Sequence, residues 1–197
     1  HNLQFIMDLI SLETRIGNIK LDNPFFNASG CVCYSSSDLN SLLSSECGGI
    51  VTKTMTLENR EGNPKPRYFH NKSLSVNSMG LPNKGFNYYY DYSKNYPYQN
   101  NKPLFFSIST MNTNDTKKMI NTLCNDDCNN DCNVSGIEFN ISCPNIVGKG
   151  QMGYDPEQLN NFLKEISETK LFDISRNQIA IGLKMSPYFD KYQFHSI

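Results

Sequence analysis

The chain has 197 residues, 38% of them hydrophobic, and a formal net charge of −1. That is enough for one sizeable domain with its own core. The near-zero charge leaves no basic footprint for nucleic acid, and no apolar run approaches the roughly 20 residues that span a bilayer, so neither is expected as a partner.

The N-terminal stretch HNLQFIMDLI is too mixed for a secretory signal. It begins with His1, which predicts an incomplete translation product unless Met7 is the start. Seven cysteines, an odd number without a regular framework, predict reduced thiols and a cytoplasmic protein. NPFFNASG (23–30) is the first strand-like run and closes on small residues. SDLNSLL (37–43) predicts a short helix capped by Ser37 or Asp38. GGIVTKT (48–54) is β-branched and reads as a second strand, followed by a long irregular stretch from Leu57 to about Gly85.

YYYDYSKNY (88–96) predicts a helix against the core, and KPLFFSIS (102–109) a third strand. NDTKKMINTLC (114–124) has helical periodicity, and GIEFNIS (136–142) reads as the fourth strand. PEQLNNFLKEISE (156–168) is amphipathic, with Leu159, Phe162, Leu163 and Ile166 on one face. IAIGLKM (179–185) is the fifth strand, and a further helix begins near Tyr188.

This alternation predicts a parallel α/β fold, its strands reading as continuous apolar runs covered on both faces. The polar interruptions gather at strand C-termini: Asn27 and Ser29, Lys53, Ser107, Asn140 and Cys143, and Lys184. Parallel α/β folds place their active sites there. Without a GxGxxG or an internal repeat, a barrel is preferred to a doubly wound sheet, although five strands are visible where a barrel needs eight. Taken singly, these residues have ordinary explanations. A strand-end cysteine is usually a small core residue, a lysine is usually solvated, and Asn77 serves turn chemistry equally well. Arg60 and Arg67 read as surface residues.

The segments NPFFNASG, VTKT, LENREGNPKPRY, SVNSMGLPNKGF, FFSIS, FNISCPNIVGKGQMGYD and GLKMSPYFD occur in this order. Together they resemble the soluble, fumarate-using class (class 1A) of the dihydroorotate dehydrogenases, from about Ile16 to Tyr192. The resemblance implies a (β/α)8 TIM barrel that binds FMN. Residues 1–197 would form a single barrel domain, here truncated after about strand five. It further implies an oxidoreductase acting on CH–CH donors, which oxidises (S)-dihydroorotate to orotate in pyrimidine (UMP) biosynthesis. Fumarate would be the electron acceptor, and the full-length protein a cytoplasmic homodimer.

The implied reaction removes a proton from C5 of the substrate and a hydride from C6. By resemblance Cys143 is the base, a role suited to a thiol because its free pKa of about 8.5 can be tuned into the working range. Lys53 is implied as a second catalytic residue, touching both substrate and flavin. Asn77, Met79, Gly80, Leu81, Asn140 and Asn145 would complete the substrate site, the asparagines matching the N–H and C=O edge of a pyrimidine. Ala28, Ser29, Gly30, Thr54, Ser107, Asn140 and Lys184, with Lys53, would hold FMN. Arg67 and Lys149 would shape a lid.

Three departures stand out: Gly150 and Ser186 where the family usually has proline, and Thr54 where serine is common. The truncated stretch by itself is expected neither to fold stably nor to bind FMN. Alternatives are an NAD-linked dihydroorotate dehydrogenase, a dihydropyrimidine dehydrogenase relative, or an inactive truncated remnant. Cys124, Cys128 and Cys132 form C-x3-C-x3-C, without the usual metal-ligand spacing or a nearby fourth ligand, so no metal is expected.

Overall fold

The computed structural model describes residues 11–97, 102–125, 132–143, 150–172 and 179–196. An antiparallel hairpin opens the described chain, β1 (Thr14–Ile16) with β2 (Ile19–Leu21), turning at Gly17 with φ +56°. Then come α1 (Ser36–Leu43), β3 (Ile50–Val51) and a second hairpin, β4 (Tyr68–His70) with β5 (Ser75–Asn77). The remainder alternates: α2 (Phe86–Lys94), β6 (Leu104–Ser109), α3 (Thr113–Asn125), β7 (Gly136–Asn140), α4 (Pro156–Ser167), β8 (Ala180–Lys184) and α5 (Lys191–Ser196).

Strands β3, β6, β7 and β8 form one parallel sheet in that spatial order. Order in space equals order in the chain, whereas a doubly wound sheet reverses direction from a central strand. The parallel α/β prediction therefore holds.

The sheet has two chemically different faces. Parallel pairing lines up residues in rows across the strands, and successive residues face opposite sides. One set of rows is Phe106–Ile137–Ile181 and Ile108–Phe139–Leu183. Its β6 and β7 members belong to the main core cluster with Leu159, Phe162 and Ile166 of α4 and with Met119, Ile120 and Leu123 of α3. Phe139 and Phe162 meet edge-to-face at 5.6 Å. The opposite rows are Ser107–Glu138–Gly182 and Ser109–Asn140–Lys184. The expectation of uniformly apolar strands thus fails on one face. Apolar side chains cover the helices, and polar ones gather on the other side.

The helices start where local chemistry dictates. The cap of α1 is Ser35, two residues before the earlier of the two expected caps. Its hydroxyl accepts from the Asp38 N–H at 3.2 Å while the Asp38 carboxylate accepts from the Ser35 N–H at 2.9 Å. Asp38 is the reciprocal partner of a capping box and not the cap itself. At α3 the Asn112 side chain accepts from the N–H groups of Asn114 and Asp115. Asp155 caps α4 with Pro156 in its first turn, and Asp190 caps α5.

Two strand predictions are corrected. Residues 23–30 form no continuous strand, only a parallel bridge from Phe26 to Gly49. The Asn27 side chain explains this. Its amide donates to the Val51 carbonyl at 2.7 Å and accepts from the Val51 N–H at 2.9 Å, taking over the rung that backbone pairing would have made. The run predicted over 48–54 shortens to Ile50–Val51 because, once Thr52 N–H has paired with Phe105 O, the next two N–H groups diverge. Lys53 donates to Cys33 O and Thr54 to Ser29 O, while Met55 returns to Ser107 O. The stretch from Leu57 to Gly85 is not wholly irregular, since it holds the β4–β5 hairpin. No helix among the described residues is long and apolar enough to cross a membrane.

Candidate functional site

The polar face of the sheet ends in a connected group of side chains. Asn140, the last residue of β7, donates from Nδ2 to Thr54 Oγ1 at 3.1 Å. Thr54 lies 3.1 Å from Ser29 Oγ and 2.9 Å from Ser107 Oγ. Ser107 and Ser29 both donate to Glu138 Oε1, at 2.6 and 3.2 Å. Lys184 Nζ lies 3.3 Å from the same carboxylate oxygen and also donates to Ser29 Oγ. Ser29, Thr54, Ser107 and Asn140 are buried. Each is satisfied by its neighbours, so this network holds a fixed shape.

The same residues shape the local chain. Asn140 Oδ1 accepts from the N–H and hydroxyl of Ser142, which turns the chain out of β7 and ends the strand before Cys143. The diverging backbone at 53–54 pins the 29–33 loop against β3. Lys53 Nζ then donates to Gly30 O at 2.5 Å, placing a second ammonium beside Lys184. Cys143 is half-buried and free, within electrostatic range of Lys53. A Cβ added at Gly30 or at Gly182 would meet nothing within 4 Å, so open space adjoins both. Room for a flat ligand and two ammonium groups suit the flavin that the resemblance implies.

The expected substrate residues Asn77, Met79, Gly80 and Leu81 form a second group, apart from Lys53. Asn77 ends β5 and is exposed, Met79 is half-buried, and Gly80 and Leu81 are buried with φ of +71° and +54°. Around them Asn63 N–H donates to Met79 O at 3.0 Å, and Arg60 Nε to Gly80 O at 3.3 Å. Asn83 holds this loop to the sheet. Its amide oxygen accepts from the N–H groups of Thr56 and Gly85, and its Nδ2 donates to Thr56 Oγ1 and Leu81 O. Thr56 lies two residues beyond Thr54, so the two groups share one stretch of chain. Arg67 braces the loop by donating to Glu61 O and Asn63 O. Ala28 contributes its carbonyl, which accepts from Asn27 Nδ2. Asn145 and Lys149 lie outside the described residues, as does Cys128 of the spaced cysteines.

Glu138 and Asn83 were missed by the sequence reading. Glu138 had a signal: an acid inside an otherwise apolar strand, two residues before Asn140. Asn83 had none, since an asparagine in a Pro/Gly-rich segment reads as a turn residue. A groove of about 830 Å³ also lies between the starts of α3 and α4, lined by Asn112, Gln158, Asn161 and Glu165. None of the network residues lines it.

Burial holds the Lys53 ammonium below the ordinary lysine range. Cys33 opposes that shift and the neighbouring Lys184 reinforces it. The sign of the stability effect follows. Below the folded pKa the lysine is charged in both states. Between the folded and unfolded values the unfolded chain keeps a proton that the folded chain has lost, so stability rises with pH through that window and levels off above the ordinary value of 10.5. Melting temperatures measured across the alkaline range should therefore rise for the wild type relative to Lys53→Met. Parallel pH profiles for the two proteins would contradict this.

Residues 11–197 match a family model described as dihydroorotate dehydrogenase. The chain is similar to dihydroorotate dehydrogenase A (fumarate) of Lactococcus lactis subsp. cremoris (strain MG1363), 43% identical over 188 residues, 93% of this chain and 56% of that protein. It is 41% identical over 187 residues to dihydroorotate dehydrogenase (fumarate) of Lachancea kluyveri, covering 93% of this chain and 55% of that protein. It is 37% identical over 185 residues to the protein of that name from Trypanosoma brucei brucei, 94% of this chain and 56% of that protein. The chain therefore spans about half the length of the relatives it matches.

Proposed function

The chain belongs to the dihydroorotate dehydrogenase family, and on that premise we propose that the whole protein oxidises (S)-dihydroorotate to orotate, with FMN bound at the site and fumarate as the electron acceptor. The observation that carries this reading is the convergence of Lys53, Lys184, Asn140 and the strand-end Cys143 at the C-terminal edge of the parallel sheet. The fumarate-dependent reaction is the one named for all three relatives. The finer architecture we propose is a (β/α)8 barrel of which residues 1–197 form part. A cytoplasmic homodimer acting in pyrimidine biosynthesis belongs to the same reading.

FMN, when bound, supplies the acceptor for the substrate's hydride. The chain's own residues do the rest. Ser29, Gly30, Thr54, Ser107, Asn140 and Lys184 hold the cofactor, with Ala28 leaving space beside it. Lys53 fixes negative charge at the junction of cofactor and substrate, and its lowered affinity for a proton is restored when an anion arrives. Asn140, with Asn77 and Asn145, reads the amide edge of the pyrimidine ring. Met79, Gly80 and Leu81 close one side. Cys143 takes the C5 proton.

The test is to purify the full-length protein and follow orotate formation from dihydroorotate with fumarate or NAD as oxidant. Turnover with fumarate is expected. No orotate with either oxidant, or turnover with NAD alone, would overturn the reading.

A further inference from the structure

Donors in the polar network all point one way. Asn140 donates to Thr54, the hydroxyls of Ser107 and Ser29 donate onward, and both end on Glu138 Oε1. A carboxylate only accepts, so Glu138 sets the direction of every hydroxyl in the chain. Lys184 adds its ammonium at 3.3 Å from the same oxygen. The pair is only partly exposed, at 32% for the Lys184 side chain and 26% for Glu138, so water screens it incompletely. The ammonium sits at a strand end facing open space beside Gly182, while the carboxylate lies one row deeper in the sheet.

We propose that Glu138 is a positioning residue for the flavin site, fixing where the Lys184 ammonium lies and offsetting part of its charge. The inference rests on the FMN reading given above. Its consequence is electrostatic. Reduced flavin carries more negative charge than oxidised flavin, so a half-compensated ammonium favours reduction less than a bare one. Glu138 thereby holds the cofactor's potential down and keeps it able to pass electrons to an acceptor.

The experiment is potentiometric titration of the flavin in the full-length holoprotein. Glu138→Gln keeps the size and an acceptor oxygen but removes the charge. It should tighten reduced relative to oxidised flavin by about tenfold, a midpoint rise of about 30 mV for a two-electron couple. In a Lys184→Met background, adding E138Q should shift the potential clearly less, because the positioned ammonium through which Glu138 mainly acts is gone. If E138Q alone fails to fold, Glu138→Asp, which keeps the charge but draws it back from the Lys184 ammonium, should raise the potential in the same direction, and an unmoved potential there overturns the proposal. An unshifted potential in E138Q, or an equal shift with and without Lys184, overturns the proposal. A purely structural role would lower the melting temperature and leave the potential in place. Wild-type protein purified without flavin would overturn the FMN reading itself, whereas flavin-loaded wild type with an indifferent E138Q would overturn this inference alone.

Discussion

On the proposed reading, Cys143→Ser in the full-length protein should slow dihydroorotate oxidation by about 10²–10⁴-fold, the usual contribution of a positioned general base. The serine hydroxyl is nearly the same size and makes similar contacts, but it is a far weaker acid, so little alkoxide exists near neutral pH to take a proton. The chain already isolates this residue from the scaffold. Asn140 ends β7 by turning back on Ser142, and the network beneath it closes without any contribution from Cys143. Orotate affinity and flavin content should therefore change little, and the loss should appear in the rate at which dihydroorotate bleaches the flavin in a rapid-mixing experiment. A serine variant bleaching as fast as wild type would remove Cys143 from the base role.

Phe139→Ala should destabilise the fold by about 3–5 kcal/mol, the range for truncating a fully buried phenylalanine. Phe139 is 1% exposed and packs edge-to-face on Phe162. Deleting the ring leaves a cavity between β7 and α4, in the cluster that holds Leu159 and Ile166, and a close-packed core relaxes into such a gap only partly. The neighbours of Phe139 in sequence, Glu138 and Asn140, point to the opposite face. Urea unfolding should show the loss, while flavin bound per folded molecule stays near the wild-type value. A change below about 1 kcal/mol would mean the helix-facing layer is far looser than it looks.

The contrast between these substitutions shows what the sequence could reveal. Helices were legible because periodic apolar residues such as Leu159, Phe162 and Ile166 need no knowledge of partners, and the structure buries all three. Strands β6, β7 and β8 were legible as short, largely apolar runs, which likewise need no knowledge of partners. The first strand was not, because Asn27 competes with the backbone only when Val51 lies opposite, and that pairing is 24 residues away in the chain. The β4–β5 hairpin escaped because Tyr68, Phe69 and Val76 are all exposed and show no inside–outside alternation. Most of the polar site could be named from strand ends, and Ser29, Lys53, Thr54, Ser107, Asn140 and Lys184 do come together. Glu138 was overlooked because its meaning depends on register. Only when β6 and β7 pair does it stand beside Ser107, and only the 29–33 loop brings it Ser29.

The sequential order of β3, β6, β7 and β8 has a consequence for how the protein is made. Each strand pairs with the one synthesised before it, and no later segment must insert between two earlier ones. A ribosome releasing the chain from its N-terminus can therefore let each strand–helix unit dock as it emerges, extending a growing edge by short-range closures. The polar network is completed late in that sequence. Ser29, Thr54 and Ser107 come first, Glu138 and Asn140 arrive with β7, and the Lys184 ammonium finds its carboxylate only once β8 has left the tunnel.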